Sequence, residues 1–288
     1  GQLAASFRNA GNVIIPSVFM LGQPQGRPDN PLPSFAVTSA IDENRGFSLA
    51  ASKGQWPIEA LGMVAGGVGH LNQIQDVDGA VRQEPLLVNY YGKAVPSMAL
   101  LAALKSLNLN AADIALSAGE SVQIGKLSIK TDALAMMLPQ FYPARDGKPA
   151  FAVDSFYDVL SGKIPASKYA DKVVVIGATA AGVGTQFPVP GNSSLSPAET
   201  IAHITSSILN GHFIVQPSWA TWTGPLVLLT ICLYLIIAVP RLSAGIAAVS
   251  SAVLFLLLMG TEFGLLSGRA VWLPLVFPAT LLVLGHMG

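Results

Sequence analysis

Apolar positions along residues 1–212 fall in short runs separated by turn-forming residues, whereas residues 219–287 are apolar almost without interruption. In the first part, runs rich in branched residues at 12–19, 79–91 and 172–178 predict strands, and the spacing in 96–107 and 197–210 predicts helices. Their alternation predicts an α/β domain, a mixed sheet with flanking helices. Residues 2–9 predict a short opening helix, and SVQIGKLSIK at 121–130 predicts two short strands around Gly125, a hairpin at the sheet edge. The stretch GQPQGRPDNPLPS at 22–34, with four prolines and two glycines, predicts a surface loop. No internal repeat is visible. The sharpest element is the last helix of this part: Ser196 stands at the N-cap, Pro197 at the first helical position, Glu199 two further on, and Gly211 closes it. Ile201, Ile204 and Ile208 form its apolar face.

The second part predicts three membrane spans. Residues 219–239 (WATWTGPLVLLTICLYLIIAV) carry no charge, and a helix of that length crosses a hydrocarbon core of roughly 30 Å. Pro240 and Arg241 end it, and residues 243–260 supply a second run rich in small residues. Thr261 to Ala270, with Glu262 and Arg269, reads as a polar turn before a third run at 271–287 that contains Pro274 and Pro278. Trp219, Trp222 and Trp272 lie near the ends of these runs, where amphipathic rings favour the headgroup zone. The division expected is residues 1–215 in water and 216–288 in a lipid bilayer.

Composition sharpens this division. Of 288 residues, 51% are hydrophobic and 11% charged, and 29 of the 32 charged side chains lie in residues 1–212. Sixteen basic residues balance sixteen acidic ones, so no basic field exists to collect phosphates and nucleic acid is disfavoured as a partner. A single cysteine, Cys232, excludes an intramolecular disulfide and any zinc site built on cysteine pairs. The chain opens at Gly1 without an initiator Met or a signal-like segment, so the sequence is expected to be a fragment of a longer protein.

The local motifs offer little chemistry. KVVVIGATAAGVG at 172–184 runs a strand into a glycine-containing loop, but TQFPVPGNSSL follows where a nucleotide fingerprint needs a helix. QDVDGAVR at 75–82 resembles the start of a calcium loop, yet the twelfth position from Asp76 is Leu87, so the reading favoured is a tight turn with Arg82 pairing to an aspartate. His70 and His203 are isolated, although Glu199 and His203 sit one helical turn apart. Serine-hydrolase, zinc-protease and kinase motifs are all missing. No catalytic residue, metal site or cofactor is expected.

Taken together, AGNVIIPSVF at 10–19, GHLNQIQDVDGAVRQEPLLVNYYGKAVPSMAL at 69–100, SFYDVLSGKIP at 155–165, KVVVIGATAAGVGTQFPVP from 172 and AETIAHITSSILNG at 198–211 resemble the CHASE type 2 domain, the second class of cyclases/histidine kinases associated sensory extracellular domain. The resemblance covers nearly the whole chain. It implies an extracytoplasmic sensor of the bacterial inner (plasma) membrane, preceded by one membrane helix and followed by three. The C-terminus would be cytoplasmic, leading to a nucleotide cyclase or a Ser/Thr or histidine kinase. It further implies that the family's opening segment is missing here, and Gln83 stands where the family often has a second Arg after Arg82.

The expected function is a membrane-anchored receptor for signal transduction. The signal would be a small molecule or an envelope state. Because α/β domains place ligands at strand ends and loops, Asp76, Asp78, Arg82 and Thr179 are the candidate ligand-binding residues. The small residues Ala244, Gly245, Ala247 and Ala248 suggest close packing in a homodimer or higher oligomer. A structural envelope subunit without a ligand is the alternative.

Overall fold

A computed structural model describes residues 1–117, 119–179, 184–191, 193–217 and 219–287. The chain divides into two units, Gly1–Phe213 and Ile214–Gly288.

The first unit is built on a mixed six-stranded sheet. Across it run Ile41–Asp42, Lys93–Pro96, Leu87–Tyr90, Leu49–Gln55, Ile14–Leu21 and Gly67–His70. Ile14–Leu21 pairs parallel with Gly67–His70 and antiparallel with Leu49–Gln55, which in turn pairs parallel with Leu87–Tyr90. The expected strand at 79–91 is two strands. Pro85 lacks an amide hydrogen to extend a ladder, and the chain changes sheet there. Val81–Pro85 joins a second sheet with Ile74–Gln75 and Met136–Pro139, whose fourth member, Phe213–Ile214, marks the end of the first unit. The hairpin around Gly125 forms, with Gly125 at φ +57°, but it belongs to a separate three-stranded meander with Ile114–Ser117 and does not edge the main sheet.

The run at 172–178 is not a strand. Its residues have no regular structure, and Val173, Val174 and Ile176 are exposed. A branched sequence favours a strand only where a neighbour offers hydrogen bonds and a face to pack on, and among the described residues none pairs with this segment.

Helices Met98–Ser106 and Pro197–Asn210 form where expected and share the largest core with the meander. Ile204 and Ile208 are each 1% exposed, and Ile201 packs at the margin. The capping box is complete. Glu199 N–H donates to Ser196 Oγ at 3.3 Å, Ser196 N–H and Oγ–H donate to Glu199 Oε2 at 2.9 and 2.7 Å, and Gly211 closes the helix in the left-handed conformation.

In the second unit, Ala220–Leu233 passes into a π-helical stretch, Tyr234–Ala238, and a 3-10 turn, Val239–Arg241, so the helical path runs Ala220–Arg241. Pro240 removes an amide donor, and the wider turn before it accommodates that loss. The second helix, Ala244–Arg269, has 26 residues. It runs straight through 261–269, where the sequence suggested a turn, since no proline removes an amide donor there despite Gly264 and Gly268, and it stops at Ala270 with φ +51°.

The third run forms only the 12-residue helix Val276–Met287. Pro274 lies outside it, and Pro278 falls in its first turn, where no amide hydrogen is needed. Among the described residues, two helices are long and apolar enough to cross a membrane. Only 6% and 11% of their apolar windows are covered by protein, so neither is the core helix of a globule.

Candidate functional site

Three of the four residues marked by sequence come together. Asp76, Asp78 and Arg82 form the turn between Ile74–Gln75 and Val81–Pro85. The Arg82 guanidinium donates to Asp76 Oδ2 at 2.6 Å and to the two Asp78 oxygens at 2.8 and 2.6 Å. Asp78 also accepts the Ala80 amide at 3.1 Å. The hydrogen bonds from Arg82 hold the Asp78 carboxyl well below the usual range, and the same bonds raise the guanidinium. Every charge in this turn is matched within it, with Val77 fully exposed at its apex. Thr179 is not part of this group. It is exposed, without regular structure, and residues 180–183 of its loop lie outside the described residues.

A loop cavity of about 320 Å³ adjoins Glu43, Arg45 and Phe47. Glu43 is 4% exposed. Burial pushes its carboxyl up, but bonds from Asn89, Ser48 and the amides of Arg45 and Phe47 outweigh that and leave it lowered. Those bonds occupy the carboxylate and tie the loop to Asn89.

The larger cleft, about 780 Å³, was not marked by sequence. It lies between the proline-rich loop and the end of Leu49–Gln55, lined by Asn30, Ser34, Phe35, Gln55, Trp56 and Glu59 among others. Trp56 packs edge-on to Phe19 and Tyr90, at ring-centroid distances of 5.1 and 5.5 Å. Tyr90 Oη–H donates to the Asn30 carbonyl at 2.7 Å and Tyr91 Oη–H to the Gln25 carbonyl at 3.3 Å, which pins the loop to the sheet. The signal available in sequence was slight: Trp56 is the sole tryptophan of residues 1–212 and follows polar Gln55.

A buried polar group joins three elements. His70 ends Gly67–His70, Glu84 lies on Val81–Pro85, and Ser97 caps helix Met98–Ser106; they are 1%, 5% and 1% exposed. His70 Nδ1 accepts the Asn72 amide at 3.2 Å, which leaves the proton on Nε2. Nε2 faces the Pro85 carbonyl without a well-formed bond, and no other acceptor among the described residues meets it. Burial lowers His70 to about 3, against the weaker pull of that carbonyl. Burial raises Glu84 to about 8, against a hydrogen bond with Ser97. His203 is lowered by burial, against Glu199, and its Nδ1 accepts the Tyr142 amide at 3.1 Å, a structural role.

Within the second unit, Tyr234 Oη bonds Ser250 and Ser251 at 2.7 and 2.9 Å, and Ser251 lies 3.3 Å from His286 Nδ1. This chain of contacts ties the three helices. Val215 pairs with Val271 through the bonds Val215 N–H to Ala270 and Trp272 N–H to Val215. Among the described residues no group of three or more His, Cys, Asp or Glu side chains could hold a metal ion.

No curated protein and no solved structure matches the chain. The CHASE2 domain does, over residues 1–240, a stretch that takes in the first unit and nearly all of the first long apolar helix. The chain belongs to the CHASE2 family of sensory extracellular domains.

Proposed function

We propose that this chain is the input half of a bacterial inner-membrane receptor. Its first unit faces the extracytoplasmic side and detects a small molecule or an envelope state. Its apolar helices pass the change to a cytoplasmic effector, a nucleotide cyclase or a Ser/Thr or histidine kinase, carried outside this chain. The observation that carries this reading is the direct succession of a sensory family fold, the fully capped helix Pro197–Asn210 and, ten residues later, a helix able to cross a membrane.

A ligand drives such a relay only by binding one conformation better than another. The outward-facing Ala244, Gly245 and Ala248 support a homodimer through the second span, while Ala247 is used up within the unit beside Tyr234.

The third run supports a third crossing even though its helix is short. Twelve helical residues rise about 18 Å, so a crossing of roughly 30 Å also draws on the apolar, non-helical residues 271–275 before them. Non-helical backbone is tolerated at that depth only when protein shields it, and Leu273 and Leu275 are 5% and 3% exposed.

The test is made in the full-length protein. Deleting residues 1–210 while keeping the membrane helices is expected to change effector output at least severalfold, in either direction. Output indifferent to that deletion would overturn the reading.

A further inference from the structure

We propose that the cleft beside Trp56 binds a saccharide, an uncharged, hydroxyl-rich ring ligand. The inference rests on reading the first unit as the sensory module and names its input site.

The cleft volume, about 780 Å³, lies within the range of small-molecule sites. Its two aromatic walls are set in place beforehand. The Trp56 ring rests on Gly54, where a Cβ would come within 2.5 Å of Cζ2, and the Phe35 ring rests on Gly62, where a Cβ would come within 2.5 Å of Cε2. Each wall thus depends on a glycine beneath it, and neither ring must be reordered on binding.

The polar lining is free to act. Asn30, Ser34, Gln55 and Glu59 are exposed, and among the described residues their side chains make one bond, Asn30 Nδ2–H to the Gly54 carbonyl at 3.4 Å. Amide, hydroxyl and carboxylate groups together offer both donors and acceptors, which suits hydroxyls that themselves do both. The apolar C–H face of a sugar ring suits the aromatic walls. Among the described residues no Lys, Arg or His lines the cleft, so a carboxylate or phosphate ligand finds no counter-charge there. An ammonium ligand suits Glu59 and the rings but leaves the two amides and the hydroxyl unused.

The experiment is calorimetric titration of the chain in lipid nanodiscs with glucose, N-acetylglucosamine, cellotriose and triacetylchitotriose, with glucose 6-phosphate and tetramethylammonium as comparisons. Saturable binding is expected with at least one of the four sugars. It is expected to weaken about tenfold or more in Glu59→Ala, by the worth of a lost hydrogen bond to a charged group, and about threefold or more in Gln55→Ala, by that of a neutral one; both side chains are exposed. Gly54→Ala, which displaces the Trp56 ring, should weaken it as well, while Lys126→Ala, at an exposed position of the hairpin turn around Gly125, should leave it unchanged. Absence of saturation with all four sugars, binding indifferent to Gln55→Ala and Glu59→Ala, or binding of tetramethylammonium alone would overturn the assignment. Because the measurement needs no effector, its failure counts against this site and leaves the relay reading to the deletion test.

Discussion

At the scale of single residues, what can be read from sequence is what is settled within a few positions. Ser196, Pro197, Glu199 and Gly211 are a local code, and the helix begins and ends where they place it. The Asp76–Arg82 turn is equally local, and Arg82 takes both aspartates rather than one. The Trp56 cleft joins residues 30 to 59 across a loop and a strand end, so no spacing announces it. Burial decides which of the two local devices matters to stability. Ser196 is fully buried, and Ser196→Ala leaves the Glu199 amide without its acceptor, a loss expected to cost about 1–2 kcal/mol. Arg82→Ala breaks shorter bonds, but its side chain and its partners are 41% or more exposed, and solvent screens pairs of this kind so that they add little to stability. Chemical denaturation of the two variants should rank them in that order, and the reverse ranking would show that the turn, not the cap, holds this unit together.

At the scale of elements, hydrophobic patterning located the segments, while their ends and partners followed from backbone chemistry and tertiary context. Residues 79–91 look like one strand but cross a proline into two sheets. Residues 172–178 carry a strong strand pattern and no partner, with Gly177 instead set close to Ala198 at the start of the capped helix. The polar residues at 261–269 suggested a turn, yet without a proline among them the helix Ala244–Arg269 continues through, and among the described residues Glu262 ends up 9% exposed with one carboxylate oxygen unpartnered. The third run tests how far a hydropathy pattern can be trusted, since only 12 of its residues are helical. With Cys232 replaced by Ser, single cysteines at Val77, at Ser243 and after the C-terminus separate two crossings from three. An impermeant maleimide is expected to label Val77→Cys in intact cells, and the other two only after permeabilisation. Labelling of the C-terminal cysteine in intact cells would mean that the last segment turns back.

At the scale of the first unit as a whole, the buried polar group sets how stability responds to pH, because it sits where two sheets and a core helix meet. His70, Glu84 and Ser97 belong to different elements, and neither titratable side chain is in an ion pair among the described residues. Glu84 is raised from 4.5 to about 8, so between those values the folded chain holds a proton that the unfolded chain has released. Its contribution is complete below about pH 4.5 and is lost as pH rises toward 8. His70 is lowered from 6.5 to about 3, so between those values the unfolded chain binds a proton that the folded chain refuses. Its contribution is complete above about pH 6.5 and is lost as pH falls toward 3. In the overlap, roughly pH 4.5–6.5, the two slopes oppose and cancel, which predicts a stability plateau there with an alkaline limb above it and an acid limb below it, each on the order of 2 kcal/mol. Glu84→Gln should remove the alkaline limb and, with nothing left to oppose His70, extend the acid limb up to about pH 6.5, while His70→Asn should remove the acid limb and extend the alkaline one down to about pH 4.5. Denaturant midpoints measured from pH 3 to 9 check both, and an alkaline limb that survives Glu84→Gln would place its origin elsewhere in the fold.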